Sequence, residues 1–142
     1  LSKGLGAPIG SLLLGPKDLM IKARRWRKVL GGGMRQAGIL CAAAKIALTE
    51  NVKKLKTDHE NAQYLAEQLH TINGFDVNIS QVTTNMVFAK VDKSVDIYAA
   101  ASALKAQNII ISPSENMRLV THLDISKEDI DSFISALKSI LV

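Results

Sequence analysis

Apolar and polar positions change rhythm twice along this chain. After a short apolar run at Leu12-Leu13-Leu14, the pattern becomes helical. Pro16 suits a first helical turn and Gly31 a C-terminal cap, so residues 16–30 are predicted to form a helix ending in Arg24, Arg25, Arg27 and Lys28. Cations in a last turn complement the helix dipole. Beyond Gly31-Gly32-Gly33, residues 34–48 predict a helix of small side chains. Residues 50–72 predict a longer one with Ala62, Leu65, Ala66, Leu69 and Ile72 on one face, stopped by Asn73-Gly74.

From there the units become short and alternating. Strands are predicted near 75–79 and 85–91, a helix near 96–107, and strands near 109–112 and 117–122. The closing helix is the clearest element. Ser126 and Asp129 are spaced as a capping box, and Ile130, Phe133, Ile134, Leu137 and Leu141 form its apolar stripe. The fold class is α/β, with an α+β module in the C-terminal part. The change of rhythm puts a boundary at about residues 48–55, which gives regions 1–50 and 51–142.

Composition narrows the classes. Apolar residues make up 47% of the 142, enough for a core, and no apolar run approaches the roughly 18 residues of a membrane span, so no membrane role is expected. The single Cys41 excludes an internal disulfide and reads as a buried helical thiol. The histidines at 59, 70 and 122 lack metal-ligand spacing, so no metal site is expected. The net charge of +5 is uneven: residues 1–60 hold 12 Lys/Arg against 4 Asp/Glu, residues 61–142 hold 6 against 9. A basic half can attract an anion. With six aromatics, of which only Trp26 stands among the cations, a nucleic-acid partner is not expected; a basic helix face or a phosphate site explains the pattern.

The candidate chemistry begins at Ser2-Lys3-Gly4-Leu5-Gly6-Ala7-Pro8-Ile9-Gly10-Ser11, a lysine set among glycines. An amine there can attack a carbonyl to form a Schiff base, and glycines allow close backbone approach to a flat ligand. Arg35 follows a glycine turn that can bring its guanidinium to an anion, or is a helix-start arginine paired with an acid. Arg118 lies between apolar residues on a predicted strand, where an unpaired charge is costly; it should face an anionic partner or pair with Asp124 or Glu115. His122, four residues on, would share that face and line the same pocket, or be a buried, hydrogen-bonded histidine.

Together, SKGLGAPIGSLL, RRWRKVLGGGMRQAGIL and RLVTHLD, in this order, resemble the C-terminal part of the low-specificity L-threonine aldolases, pyridoxal-phosphate enzymes of the aspartate-aminotransferase-like fold. The resemblance runs over essentially the whole chain and is loose between Thr49 and Val82. It implies the end of a fold-type I large domain followed by a small α/β C-terminal domain. It also implies retro-aldol cleavage of L-threonine or L-allo-threonine to glycine and acetaldehyde, with pyridoxal 5'-phosphate as cofactor. Lys3 matches the Schiff-base lysine, Arg35 a ligand of the cofactor phosphate in a neighbouring subunit, and Arg118 the ligand of the substrate carboxylate. A homo-oligomer, dimer or tetramer, and a cytoplasmic location are the corresponding expectations. Such an aldolase needs a large cofactor domain, so most of it is expected to precede Leu1, and the 142 residues alone are expected to be inactive. Two other readings stay open: a related fold-type I enzyme with different amino-acid chemistry, and a basic interaction domain.

Overall fold

A computed structural model describes residues 1–141, and the chain divides into two compact units, Leu1–Lys53 and Lys54–Val142. The first unit opens on a loop and carries helices α1 (Lys17–Val29) and α2 (Gly38–Thr49). α1 ends where the sequence predicts. Gly31, at φ +84°, takes the left-handed position after the Leu30 cap, its N–H donates to Lys28 O at 3.2 Å, and Gly32 N–H donates to Arg27 O at 2.8 Å. That pair of bonds is a Schellman motif, which needs a residue free of Cβ strain at Gly31.

α2 departs from expectation by starting at Gly38 rather than residue 34. Gln36 sits at φ +49°, a conformation no α-helix accommodates, so residues 34–37 form a turn and Arg35 lies in it, not at a helix start. Cys41 is exposed on α2, correcting the expected buried thiol. A 3₁₀ turn, Asn51–Lys54, follows.

The second unit is a three-stranded sheet with helices packed on one face. Its elements are α3 (Leu55–His70), β1 (Phe75–Val77), a 3₁₀ turn (Ile79–Gln81), β2 (Met86–Val91), α4 (Ile97–Ala106), β3 (Asn116–Val120) and α5 (Lys127–Ile140). The strands pair antiparallel in the order β1-β2-β3. Strand β2 alternates strictly, with Val87, Ala89 and Val91 buried and Met86, Phe88 and Lys90 exposed. This period of two turns one face to the helices and leaves the other open.

The core joins the predicted stripes. Leu65, Leu69 and Ile72 of the α3 segment, Leu104 of α4, Met117 of β3 and Ile130, Phe133, Ile134 and Leu137 of α5 close on the inner sheet face. Asp96 caps α4 by accepting from the Tyr98 and Ala99 N–H groups, and Ser126 and Asp129 form the reciprocal box on α5. Tyr64 of α3 donates its hydroxyl hydrogen bond to Asp131 of α5, and Lys127 lies 4.4 Å over the Tyr64 ring.

The strand expected at 109–112 does not form. β3 is a sheet edge and no further strand lies beside it among the described residues. Ile109 to Ile111 instead line a groove with Leu119, Val120 and α5. Strand β3 also ends at Val120, two residues before the predicted limit; the chain then turns at Leu123 and Asp124, a turn closed by Ile125 N–H donating to His122 O at 2.9 Å.

Candidate functional site

Lys3 stands in a turn built by the backbone. Gly6 N–H donates to Lys3 O at 2.8 Å, Ala7 N–H donates to Leu1 O at 3.2 Å, and Gly6 adopts φ +71°. The loop is anchored beneath by buried Ala7 and by Asn51, whose Nδ2 donates to Leu5 O at 2.9 Å. Such a turn fixes the backbone and leaves the side chain exposed. Lys3 makes no ion pair among the described residues, so its amine is available to an incoming carbonyl.

Arg35 belongs to the same unit, exposed in the turn before α2 and without an ion pair among the described residues. The alternative in which it pairs with a nearby acid is not what the structure has. A guanidinium left free beside a tight glycine turn suits a phosphate or carboxylate, which it can grip through two parallel N–H donors.

Arg118 belongs to the second unit, at the centre of β3. The expectation that it lies buried between apolar neighbours is corrected. Met117 and Leu119 turn to the helices, whereas Arg118 projects from the open sheet face directly opposite Phe88, with no ion pair to Asp124 or Glu115. Its charge is solvated rather than trapped. What recommends it is an unpaired fork on a sheet face that also exposes Phe88, Met86 and Val120.

His122 does not share that face, because it lies beyond the end of β3 in a turn. It is half exposed, its Nδ1 accepting from Asp124 N–H at 3.3 Å and lying 3.7 Å from Asp124 Oδ2. The reading as a buried histidine is corrected too. His59, His70 and His122 join no metal-binding cluster among the described residues.

A polar cluster beneath β3 escaped sequence reasoning. Asp58 of α3 is 3% exposed, and its Oδ2 is buried with no hydrogen-bond partner. Thr121 Oγ1 donates to the Asp58 backbone carbonyl at 2.6 Å, and Asn85 Nδ2 donates to Thr121 O at 2.9 Å. Burial pushes the Asp58 carboxyl above the usual carboxylate value, and the neighbouring His122 and His59 pull it partly back. The signal was present: Asp58 precedes Ala62 by four residues and so falls on the apolar stripe of α3, where an acid is out of place.

The geometry thus comprises a free amine and a free guanidinium in one unit and a second free guanidinium in the other. The family model described as beta-eliminating lyase matches residues 1–93, well over half of the chain. The chain belongs to the beta-eliminating lyase family. It is similar to the low specificity L-threonine aldolase of Escherichia coli K12, 48% identical over 130 residues, covering 92% of this chain and 38% of that protein. It is also similar to the probable low-specificity L-threonine aldolase 2 of Arabidopsis thaliana, 42% identical over 144 residues, with 99% and 41% covered. The chain therefore spans about two fifths of the length of these relatives. Among solved structures, an alanine–glyoxylate aminotransferase from Nostoc sp. superposes with a TM-score of 0.55 at 23% identity, over 72% of this chain and 30% of that one. That likeness establishes the mixed α/β fold of the aminotransferases. No helix among the described residues is long and apolar enough to cross a membrane.

Proposed function

We propose that this chain carries the C-terminal part of a pyridoxal-phosphate-dependent aldolase that cleaves L-threonine or L-allo-threonine to glycine and acetaldehyde. The observation that carries this reading is the exposed, unpaired Lys3 amine, held by a hydrogen-bonded glycine turn in a chain 48% identical to a low specificity L-threonine aldolase. The donor set fits the cofactor: a primary amine for its aldehyde and a guanidinium, Arg35, for its phosphate. Pyridoxal phosphate, when bound, supplies the electron sink for the negative charge left on the glycine carbon.

The residues of this chain divide the remaining work. Lys3 would hold the cofactor through its amine and would yield that place to the amine of the incoming amino acid. Arg35 grips the phosphate, in the neighbouring subunit if the assembly follows the resemblance, so the reading includes a homo-oligomer, dimer or tetramer. Arg118 binds the substrate carboxylate bidentately and so fixes which bond at the α-carbon stands ready to break. The first unit is accordingly the end of a cofactor domain and the second a small C-terminal domain. The cytoplasm is the compartment this reading assigns. Replacement of the lysine tests it. In the full-length protein, Lys3→Ala should lose both acetaldehyde release from threonine and the near-visible absorption band that pyridoxal phosphate gives on a lysine. Near-normal turnover by Lys3→Ala would overturn the assignment.

A further inference from the structure

Arg118 owes its direction to its strand. No acid pairs with its guanidinium among the described residues, and β3 is an edge strand bonded to a neighbour on one side. Val91 N–H donates to Glu115 O at 2.8 Å and Thr121 N–H donates to Asn85 O at 3.0 Å, which fixes the alternation of the ladder. Glu115, Met117, Leu119 and Thr121 turn their backbone groups to β2, and Arg118 turns its own to the open edge. A five-residue strand paired on one side opens from its ends, so what holds the ends decides where the central side chain points.

The two ends are not held alike. At Glu115 a backbone bond continues the ladder. At Thr121, which is 1% exposed, Oγ1 donates to the Asp58 carbonyl in the first turn of α3 at 2.6 Å, and Asn85 Nδ2 donates to Thr121 O at 2.9 Å. The hydroxyl also lies 3.4 Å from Asn85 O, but its one proton is already given at the shorter distance. Valine would offer nearly the same outline with no polar atom to bury, so packing does not account for the hydroxyl. The helix does not account for it either. The Asp58 carbonyl lies inside α3, where the N–H four residues on already serves it. The bond is redundant for α3 and matters to the end of the strand.

We infer that Thr121 is a positioning residue, whose hydroxyl and carbonyl, held by α3 and Asn85, fix the end of β3 and through it the direction of Arg118. Three residues separate the two. The Val87–Leu119 and Met86–Val120 pairs continue the register between them without a bulge, so a shift at Thr121 is passed along the strand. A guanidinium with no partner of its own follows its backbone, and a fork that grips a carboxylate through two parallel bonds tolerates little misdirection.

This inference rests on the reading of Arg118 as the carboxylate ligand, and the experiment separates the two. In the full-length protein, KM and kcat for L-threonine are measured for the wild type, Thr121→Val, Thr121→Ser, Asn85→Ala, Arg118→Lys and the double variant Thr121→Val/Arg118→Lys. A grip on the carboxylate is made before and during bond breaking alike, so weakening it raises KM and spares kcat. Thr121→Val should raise KM roughly three- to tenfold with the cofactor band intact, and Asn85→Ala should shift it in the same direction. Thr121→Ser keeps the hydroxyl and should restore the wild-type value. In the Arg118→Lys background the effect of Thr121→Val should largely vanish, which a merely structural role would not produce. If thermal denaturation shows that Thr121→Val does not fold, Asn85→Ala with and without Arg118→Lys carries the same test. A wild-type KM in the folded variant, an equal rise in Thr121→Ser, or an undiminished effect in the double variant overturns the positioning role. The carboxylate role then stands, provided Arg118→Lys raises KM. An unchanged KM in Arg118→Lys overturns the carboxylate role itself and the positioning role with it.

Discussion

Asp58→Asn should make the chain more stable at neutral pH, and by more at neutral than at acid pH. The wild-type carboxyl is 3% exposed with one oxygen unpartnered, and its pKa in the folded state lies above the ordinary 3.8, chiefly because burial opposes its charge. A carboxyl with a raised folded pKa binds its proton more tightly when folded than when unfolded. Stability therefore falls as pH rises through 3.8 toward the folded value and is level above it. Asparagine has the same outline and no charge, so it removes this slope. A buried polar group without a partner costs about 1–3 kcal/mol, and a charged one lies at the upper end, which puts the gain from Asp58→Asn at about 1–2 kcal/mol at neutral pH. The assay is urea denaturation followed by circular dichroism at several values between about pH 3 and pH 7. A midpoint lower for Asp58→Asn at neutral pH, or a gap that shrinks as pH rises, would refute the reasoning and show the carboxylate to be paired.

The capping box on α5 has the opposite sign. Asp129 is held below 3.8, first by its bond from the Ser126 backbone N–H and then by the Ser126 hydroxyl, so its contribution is present above 3.8 and is lost as pH falls through the lowered value. Ser126→Ala should cost about 1 kcal/mol in the same urea assay and steepen neither limb of the pH curve at neutral pH; no loss would mean that solvent caps the helix equally well. Arg118→Lys should raise KM for threonine while the cofactor band persists, since the ammonium keeps the charge but not the planar fork. An unchanged KM would exclude the carboxylate role.

How much of this was legible in the sequence depended on whether a residue's neighbours are local. The α5 box, the Gly31 cap and the stripe Ala62 to Ile72 were readable because their partners lie within a few positions of the chain. Ile109 to Ser112 has the composition of a strand, but a strand exists only with a partner to pair with. The edge of β3 offers none among the described residues. Arg118 and its strand were found, yet its face was misjudged, because the flanking Met117 and Leu119 indicate an apolar strand without indicating which side is covered. Asp58 was missed for a similar reason. Thr121 is 63 positions away, and only folding brings the two together. At the site, Lys3 was visible as a motif, while the freedom of Arg35 depended on the left-handed Gln36 that delays α2.

The two units differ in what they hide, and that difference carries a prediction about assembly. In Lys54–Val142 the large apolar side chains close on one another: Leu69, Leu104, Met117 and Leu137 are fully buried. In Leu1–Lys53 the buried residues are Ala7, Ala47 and Asn51, all small, while Leu14, Leu30 and Ile39 are each at least 80% exposed and Trp26 is 62% exposed. Each such leucine or isoleucine forgoes about 1.5–3 kcal/mol that burial would contribute. Surface of that extent marks an interface, either with the cofactor domain expected to precede Leu1 or with a second copy of the chain. α2 adds the means, since Gly38, Ala42, Ala43 and Ala44 let a second helix approach closely, and just before it stands Arg35, to which the function proposed above assigns a neighbour's phosphate. A two-fold dimer is the smallest closed assembly that covers the same patch on both copies. Light scattering of the full-length protein should therefore give at least twice the mass of one chain, and Ile39→Asp, which places a charge in the exposed apolar patch, should lower it. A monomeric mass for an active protein would remove both the interface and the role across subunits assigned to Arg35.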